Sequence, residues 1–192
     1  MRAVVAGFGV SGFAAADNLL HLGASVMAMD ERAAEGERAE KAELLEVLGA
    51  RMRLGEGETA TLPDDVDLVV TSPGWRPSAA LLAQARARGI PFWGEVELAW
   101  RLRDAGPSGR PAPWLAVTGT NGKTTTTEML DTILRTAGLR SAAVGNVGLP
   151  IVEAVMDPTP YDVLAVELSS FQLHYTDSMA AESAAVLNVA ED

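Results

Sequence analysis

The stretch Trp114-Leu115-Ala116-Val117-Thr118-Gly119-Thr120-Asn121-Gly122-Lys123-Thr124-Thr125-Thr126 decides the fold, because an apolar run leads through a glycine turn into a lysine and a row of hydroxyls. The apolar run is typical of a buried parallel strand, and residues 124–137 are predicted as the helix that follows. Glycines at 119 and 122 allow a tight turn whose N–H groups, together with the helix dipole, can hold an anion. The stretch therefore predicts a phosphate-binding loop in a parallel α/β unit.

The residues after the turn suit a nucleoside triphosphate. Lys123 is expected to reach the outer phosphates, and the Thr124 hydroxyl to join the shell of a phosphate-bound magnesium ion, which takes few protein ligands. The loop is a shortened variant, since Val117 stands where the usual pattern has its first glycine. A glycine-rich turn that merely starts a helix is the alternative. The predicted ATP contacts are Gly119, Thr120, Asn121, Gly122, Lys123, Thr124, Thr125 and Thr126.

Composition excludes several classes of partner. The 192 residues carry a net charge of −11, which argues against nucleic-acid or anionic-membrane partners because these favour a basic face. The chain has no cysteine, so disulfides and thiolate metal sites are excluded. The amino-terminal residues lack the apolar region of a signal peptide, and no run approaches the length of a membrane span. A cytoplasmic protein is expected.

Strand-like and helical runs alternate along the chain, which indicates parallel sheets with crossover helices. The predicted strands are residues 3–6, 25–29, 68–71, 90–93, 115–118, 163–167 and 184–189. The predicted helices between them include residues 12–22, 37–48, 78–88 and 95–103. The charge-rich residues 31–41 are expected to be solvated.

A proline- and glycine-rich stretch at residues 104–113 predicts a linker. The expected fold class is α/β, with a Rossmann-like, parallel-sheet amino-terminal domain at residues 1–94, a helix and linker at 95–113, and a P-loop-type central domain at 114–192.

A second glycine loop, Gly7-Phe8-Gly9-Val10-Ser11-Gly12, lies between the first predicted strand and helix, with Asp30 at the end of the next strand. This layout is typical of a dinucleotide site, although a turn without a ligand is also compatible with it. Alone it would suggest an NAD-dependent oxidoreductase. A triphosphate loop in the same chain favours a ligase, which needs both ATP and a second substrate. Ser72-Pro73-Gly74 follows another strand and could close over a diphosphate or be a simple proline turn.

Two features near residues 145–170 suit the same chemistry. Glu167 ends an apolar run, and an acid at the end of a strand beside a phosphate loop commonly holds magnesium. Its alternative is a capping role for the helix that starts near Ser170. The loop from Gly145 to Pro150 follows a short strand-like stretch, so Asn146 faces a ligand or belongs to a simple turn.

These motifs together resemble the Mur ligases of peptidoglycan synthesis. The loop Thr118-Gly119-Thr120-Asn121-Gly122-Lys123-Thr124-Thr125 is shared across that superfamily. The segments at residues 145–150, 167–173 (Glu-Leu-Ser-Ser-Phe-Gln-Leu) and 187–192 (Leu-Asn-Val-Ala-Glu-Asp) are similar to its D-glutamate-adding branch. The resemblance covers essentially the whole chain.

The resemblance implies ATP- and Mg²⁺-dependent addition of D-glutamate to UDP-N-acetylmuramoyl-L-alanine through an acyl phosphate, a step of cell wall biogenesis. It implies that the first domain binds the UDP substrate rather than a dinucleotide, and that the central domain binds ATP. Lys123 and Glu167 would be catalytic, with Thr124 and Glu167 at the metal. The implied substrate contacts are Val10 and Ser11 at the diphosphate and sugar, Asp30 and Arg32 around the uracil, Ser72 and Gly74 near the nucleotide, and Asn146 and Ser169 at the muramoyl part. Glu31 departs from the family pattern, and no role is assigned to it.

The family also has parts that this sequence does not contain: a histidine directly after the Asn-x-x-Glu-Asp segment, a carbamylated lysine and a carboxyl-terminal domain. We therefore expect an amino-terminal portion with an incomplete central domain, able to bind the UDP substrate but not to complete the reaction. A coupled assay that detects ATP- and D-glutamate-dependent turnover by these 192 residues would contradict that expectation. A stand-alone nucleotide- or UDP-sugar-binding module of the same superfamily is the alternative, and the oxidoreductase survives only if the Lys123 loop binds nothing.

Overall fold

The computed structural model describes residues 1–106 and 109–190. Residues 107 and 108 of the predicted linker and the last two residues of the 187–192 segment lie outside the described residues. The described strands are Arg2–Ala6 (β1), Ser25–Asp30 (β2), Arg51–Leu54 (β3), Leu68–Thr71 (β4), Phe92–Gly94 (β5), Trp114–Thr118 (β6), Ser141–Gly145 (β7), Val163–Glu167 (β8) and Ser183–Val186 (β9). The described helices are Val10–His21 (α1), Glu37–Val47 (α2), Ala80–Ala87 (α3), Glu95–Leu102 (α4), Lys123–Thr136 (α5), Ile151–Val155 (α6) and Ser170–His174 (α7).

The first sheet is parallel throughout, with the strand order β3-β2-β1-β4-β5. At its centre, Val5 of β1 lies opposite Ala28 of β2 and Val70 of β4. The apolar residues of β1 and β4 are buried, as is typical of parallel strands with both faces covered. The chain order reverses between β1 and β4, and ligands of open α/β sheets bind outside the carboxyl ends of strands at such a switch point.

The second sheet is also parallel, with the order β7-β8-β6-β9. All five residues of β8 are buried, whereas β9 is an exposed edge strand. Helix α5 packs against β6, β7 and β8. Glu167 at the end of β8 lies opposite Val117 of β6 and Gly145 of β7, so the carboxyl ends of three strands meet around this carboxylate.

The predicted α/β class with parallel sheets is confirmed, and several element bounds differ from the prediction. Strand β3 was not predicted, because Arg51-Met52-Arg53-Leu54 lacks the apolar run of a buried strand and lies at a sheet edge. The strand predicted at 184–189 ends at Val186, since the following residues turn toward the phosphate loop. The two compact units are Met1–Leu98 and Ala99–Asp192, and the division between them falls within α4.

None of the helices in the described ranges is long and apolar enough to cross a membrane.

Candidate functional site

The loop predicted to bind phosphate, residues 119–122, joins β6 directly to α5 in the second unit. Gly119 and Gly122 have φ angles of 138° and 84°, in the region that favours glycine. A Cβ on Gly119 would also lie 3.0 Å from the carbonyl oxygen of Asn188. Both the backbone conformation and the close approach of a second segment therefore require the first glycine of the loop.

Lys123 folds back over this loop. Its Nζ donates hydrogen bonds to the carbonyl oxygens of Gly119 at 2.7 Å and Thr120 at 3.1 Å. Within the described residues, both partners of the ammonium group are carbonyls and neither is a carboxylate. The positive charge therefore has no neutralising anion among its described partners, which suits an anionic ligand there.

Glu167 is a buried carboxylate with one oxygen satisfied. The side chain is 1% exposed; its Oε1 accepts a hydrogen bond from Nδ2 of Asn146 at 2.8 Å, while Oε2 has no partner among the described residues. A buried carboxylate oxygen without a partner is costly, and a bound cation removes that cost. The capping alternative is wrong, because Ser169 caps α7 by accepting the N–H of Gln172.

The loop after β7 is tied to Glu167 by its backbone as well. The N–H of Asn146 donates to the carbonyl oxygen of Glu167 at 3.0 Å, and a Cβ on Gly145 would lie 2.3 Å from that oxygen. Asn146 and Ser169, both predicted at the substrate, use their side chains in hydrogen bonds within the protein, Asn146 to Glu167 and Ser169 to Gln172.

A cavity of about 310 Å³ brings part of the predicted site together. Its lining residues come from β6, the phosphate loop, the start of α7 and the segment after β9: Thr118, Gly119, Thr120, Lys123, Ser169, Ser170, Phe171, Val186, Asn188 and Val189. Thr124 and Thr125 lie exposed on the first turn of α5. Thr126 lies apart from the cavity, in an apolar groove beside Met129 and Ile133. In residues 1–106 and 109–190, no cluster of three or more His, Asp and Glu side chains could hold a metal by itself.

The glycine loop of the first unit is held by packing. A Cβ on Gly12 would lie 1.9 Å from the carbonyl oxygen of Gly7, so only glycine lets α1 approach β1 this closely. Gly7 has a φ of 98°, and Ser72 donates from Oγ to its carbonyl oxygen at 3.2 Å. A Cβ on Gly9, in contrast, would meet nothing within 4 Å. Among the described residues, open space therefore remains beside the middle glycine of this loop.

Asp30 holds the same loop from the end of β2. Its Oδ2 accepts the N–H of Phe8 at 2.7 Å and its Oδ1 accepts the N–H of Arg32 at 2.8 Å. Burial raises the pKa of Asp30, but these backbone hydrogen bonds and the charges of Arg38 and Arg32 outweigh it and lower the pKa below its ordinary value. Asp30 is therefore an ionised group that fixes the loop.

Arg38 also holds the first glycine loop, and this role was not predicted from the sequence. Its Nη1 donates to the carbonyl oxygen of Phe8 at 2.6 Å, and its Nη2 lies 3.5 Å from Oδ2 of Asp30. The guanidinium also lies over the Phe8 ring, 5.5 Å from the centroid. The expectation that residues 31–41 are simply solvated is wrong for Arg38, because no local pattern distinguishes a charge that turns inward.

The remaining predicted substrate residues lie at the same end of the first sheet. Val10 begins α1 and is 69% exposed, Ser11 is half-buried, and Gly74 and Arg32 are exposed. Glu31, to which the sequence assigned no role, accepts hydrogen bonds from the N–H of Gly57 at 2.8 Å and from the Thr59 hydroxyl. It ties the segment after β3 to the end of β2.

Each of the two parallel α/β units has a strand, a glycine loop and a helix in succession, a plan that many nucleotide-binding α/β proteins share. Residues 1–94 match the MurD-like N-terminal domain of Mur ligases, and residues 117–192 match the Mur ligase middle domain. The chain belongs to the Mur ligase family.

Curated relatives support this membership. The UDP-N-acetylmuramoylalanine–D-glutamate ligase of Streptomyces coelicolor is 57% identical over 98% of this chain and 39% of its own length. That of Mycolicibacterium smegmatis is 47% identical over 100% of this chain and 37% of its own length. The chain thus spans about two fifths of the length of these relatives.

The fold is also found in a solved structure. The UDP-N-acetylmuramate:L-alanyl-gamma-D-glutamyl-meso-diaminopimelate ligase of Neisseria meningitides superimposes with a TM-score of 0.57 at 21% identity, over 100% of this chain and 61% of that one.

Proposed function

We propose that this chain is part of an ATP-dependent ligase that adds D-glutamate to UDP-N-acetylmuramoyl-L-alanine in the cytoplasm, a step of peptidoglycan precursor synthesis. Two observations carry the proposal: among the described residues, the Lys123 ammonium of the second glycine loop contacts carbonyl oxygens and no carboxylate, and one oxygen of the buried Glu167 carboxylate has no partner. Curated relatives with 44–57% identity carry the name of this ligase. Its partners are then small molecules, and a net charge of −11 gives no reason to add a nucleic acid or a membrane.

The residues of the loop fit ATP. The left-handed glycines at 119 and 122 turn the backbone so that α5 begins at the loop, and a helix amino terminus favours phosphate. Lys123 would contact the outer phosphates, and residues 119–126 would enclose the nucleotide. The assignment of Thr126 has the weakest support, because this residue lines the apolar groove beside Met129 and Ile133 and not the cavity at the loop.

The residues also fit a magnesium ion. Magnesium is usually held by one or two carboxylates together with substrate phosphates and waters. Glu167 offers one oxygen that has no partner in the part of the chain that the structure describes, and Thr124 offers an exposed hydroxyl at the first turn of α5. We propose that these two side chains hold the ion, which would supply positive charge to the transferring phosphoryl group when bound.

The first unit would hold the UDP part of the substrate. Ser72 and the open position above Gly9 adjoin the amino terminus of α1, where a diphosphate is favoured. Val10, Ser11 and Gly74 would line the same place, with Asp30 and Arg32 around the uracil. Asn146 and Ser169 would meet the muramoyl part, although their side chains already serve Glu167 and Gln172.

In the proposed reaction, the terminal alanine carboxylate attacks the γ-phosphorus of ATP, the bond to the bridging oxygen breaks, and ADP leaves. The amine of D-glutamate then attacks the acyl carbon of the resulting acyl phosphate, loses a proton and displaces inorganic phosphate. Lys123 would neutralise charge that develops on the transferring group, and the loop N–H groups would keep the phosphates in place.

Calorimetric titration of the 192-residue chain tests the proposal with three ligands: UDP-N-acetylmuramoyl-L-alanine, Mg²⁺-ATP and NADH. We expect the first two to bind and NADH not to bind. UDP-N-acetylglucosamine, which lacks the lactyl-alanine arm, is the matched control and should bind more weakly than the muramoyl substrate. Binding of NADH alone would support an oxidoreductase, and failure of both the UDP ligand and ATP to bind would contradict the proposal.

A further inference from the structure

A short segment after β9, residues 187–190, lies against the phosphate loop and forms hydrogen bonds with two of its residues. We call this segment the latch. The N–H of Thr120 donates to the carbonyl oxygen of Asn188 at 3.1 Å. The Thr120 hydroxyl accepts the N–H of Ala190 at 3.0 Å and lies 3.2 Å from the Ala190 carbonyl oxygen. On the latch side, all three of these contacts are made by main-chain groups.

Asn188 adds a reciprocal pair of hydrogen bonds. Its Oδ1 accepts the N–H of Asn121 at 2.9 Å, and its Nδ2 donates to the carbonyl oxygen of Asn121 at 2.9 Å. One side-chain amide therefore satisfies both main-chain groups of a loop residue, as a neighbouring strand would. An N–H and a C=O held in this way fix the peptide planes on either side of Asn121.

Gly119 and the latch are matched in shape. A Cβ at residue 119 would lie 3.0 Å from the oxygen and 3.1 Å from the nitrogen of Asn188, and 3.2 Å from the nitrogen of Leu187. These are main-chain atoms of a paired segment, since the N–H of Leu187 donates to the carbonyl oxygen of Thr118. The first glycine is needed so that the latch can approach, in addition to its φ of 138°.

We propose that Asn188 is a positioning residue, which holds the loop from Gly119 to Gly122 in the conformation that receives the nucleotide phosphates. This inference rests on the proposed ATP function of the loop. Asn188 acts through Asn121 and Thr120 and need not touch the nucleotide. The two hydrogen bonds to Asn121 orient the adjacent N–H groups of the loop before the nucleotide binds. The entropic cost of ordering the loop on nucleotide binding is therefore lower.

The test compares the 192-residue chain with three variants: Asn188→Ala, Asn188→Asp and, as control, Ser183→Ala. Ser183 is an exposed residue of β9. Amide hydrogen exchange is measured by NMR without nucleotide, and the affinity for Mg²⁺-ATP is measured by calorimetry. Because hydrogen exchange is measured without nucleotide, it tests whether the latch holds the loop independently of the proposed function.

Loss of the Asn188 side chain should speed exchange of the Asn121 amide about three- to tenfold, the effect of one ordinary hydrogen bond, and weaken Mg²⁺-ATP binding by a similar factor. Asn188→Asp keeps an acceptor for the Asn121 N–H but loses the donor to its carbonyl. It should therefore restore the slow exchange without restoring full affinity. Ser183→Ala should change neither quantity.

Unchanged exchange at Asn121 in Asn188→Ala would overturn the inference. Faster exchange with unchanged Mg²⁺-ATP affinity would overturn it as well, since the loop conformation would then not matter for binding. A wild-type chain that does not bind Mg²⁺-ATP would contradict the proposed function of the loop, and the exchange measurement would still decide whether Asn188 holds it.

Discussion

The two glycine loops of this protein have the same local plan and different supports. Each follows a central parallel strand and opens directly into a helix, α1 in the first unit and α5 in the second. The first loop is held by charged side chains, Asp30 and Arg38, which bind the main chain of Phe8. The second is held by the latch, mainly through main-chain groups and one neutral amide.

This difference determines the charge at each loop. In the first, the Asp30 carboxylate lies against the loop and is offset by Arg32 and Arg38. In the second, a neutral support leaves the Lys123 ammonium with carbonyl partners only, among the described residues. The second loop thus holds a cation with no carboxylate among its described partners, whereas the first holds a carboxylate that two arginines balance. The same strand-loop-helix plan is therefore supported by two different arrangements of charge.

The largest expected effect concerns the glycines of the first loop. Gly12→Ala should reduce the stability of the first unit by about 3 kcal/mol or more, because the new Cβ would meet a main-chain oxygen that cannot move aside. Gly9→Ala is the matched control, since its Cβ would meet nothing within 4 Å, and it should change stability far less. Urea denaturation followed by circular dichroism measures both. Equal stability losses would show that the first loop does not depend on close packing.

Lys123→Ala should weaken Mg²⁺-ATP binding on the order of a hundredfold, the upper range for a hydrogen bond to a charged group. The fold should remain intact, because the hydrogen bonds of Nζ within the described residues are to its own loop. Lys41→Ala, which removes a surface ion pair with Glu37 in the first unit, is the control and should leave the affinity unchanged. Unchanged Mg²⁺-ATP affinity in Lys123→Ala would show that the Lys123 charge does not contribute to binding. The difference in charge between the two loops would then have no effect on the ligand.

Asp30→Asn should reduce stability at pH 7 by about 1 to 3 kcal/mol, since the charged acceptor for two N–H groups is lost. The pKa of Asp30 is lower in the folded chain than the value of about 3.9 for an unperturbed aspartate. The unfolded state therefore takes up the proton first, and the stabilisation is present above about pH 4 and lost as the pH falls through the folded pKa.

The difference in unfolding free energy between wild type and Asp30→Asn should accordingly shrink below about pH 4. Urea denaturation at a series of pH values measures it. A difference that stays constant down to pH 2 would mean that the carboxylate charge does not support the first loop.

The smallest effect is expected for Asn146, whose side chain donates a hydrogen bond to the Glu167 carboxylate. Asn146→Ala removes the partner of Glu167 Oε1 and should weaken the magnesium-dependent part of ATP binding about tenfold, the lower range for residues that orient a metal ligand. ATP binding in the presence of a chelator should not change. An equal loss with and without magnesium would show that Asn146 acts on the nucleotide and not through Glu167.

Much of the fold could be predicted, because it follows local rules. Apolar runs before glycine turns predicted β1 and β6, and Glu167 ends a run whose burial is evident from its composition. The residues that support the two glycine loops, Arg38 and Asn188, could not be predicted in the same way. Arg38 lies 30 residues from Phe8, and Asn188 lies 67 residues from Asn121. Sequence patterns record spacing along one element, whereas these contacts depend on which strands become neighbours.

The pairing of β6 with β9 also has a consequence for synthesis. The phosphate loop leaves the ribosome well before the segment that holds it, since 67 residues separate Asn121 from Asn188. At roughly 5–20 residues per second, that interval is about 3 to 13 s. For this time β6 has no β9 beside it and the loop lacks the partners of Thr120 and Asn121. The conformation of the loop is therefore completed only after the last described strand has been made.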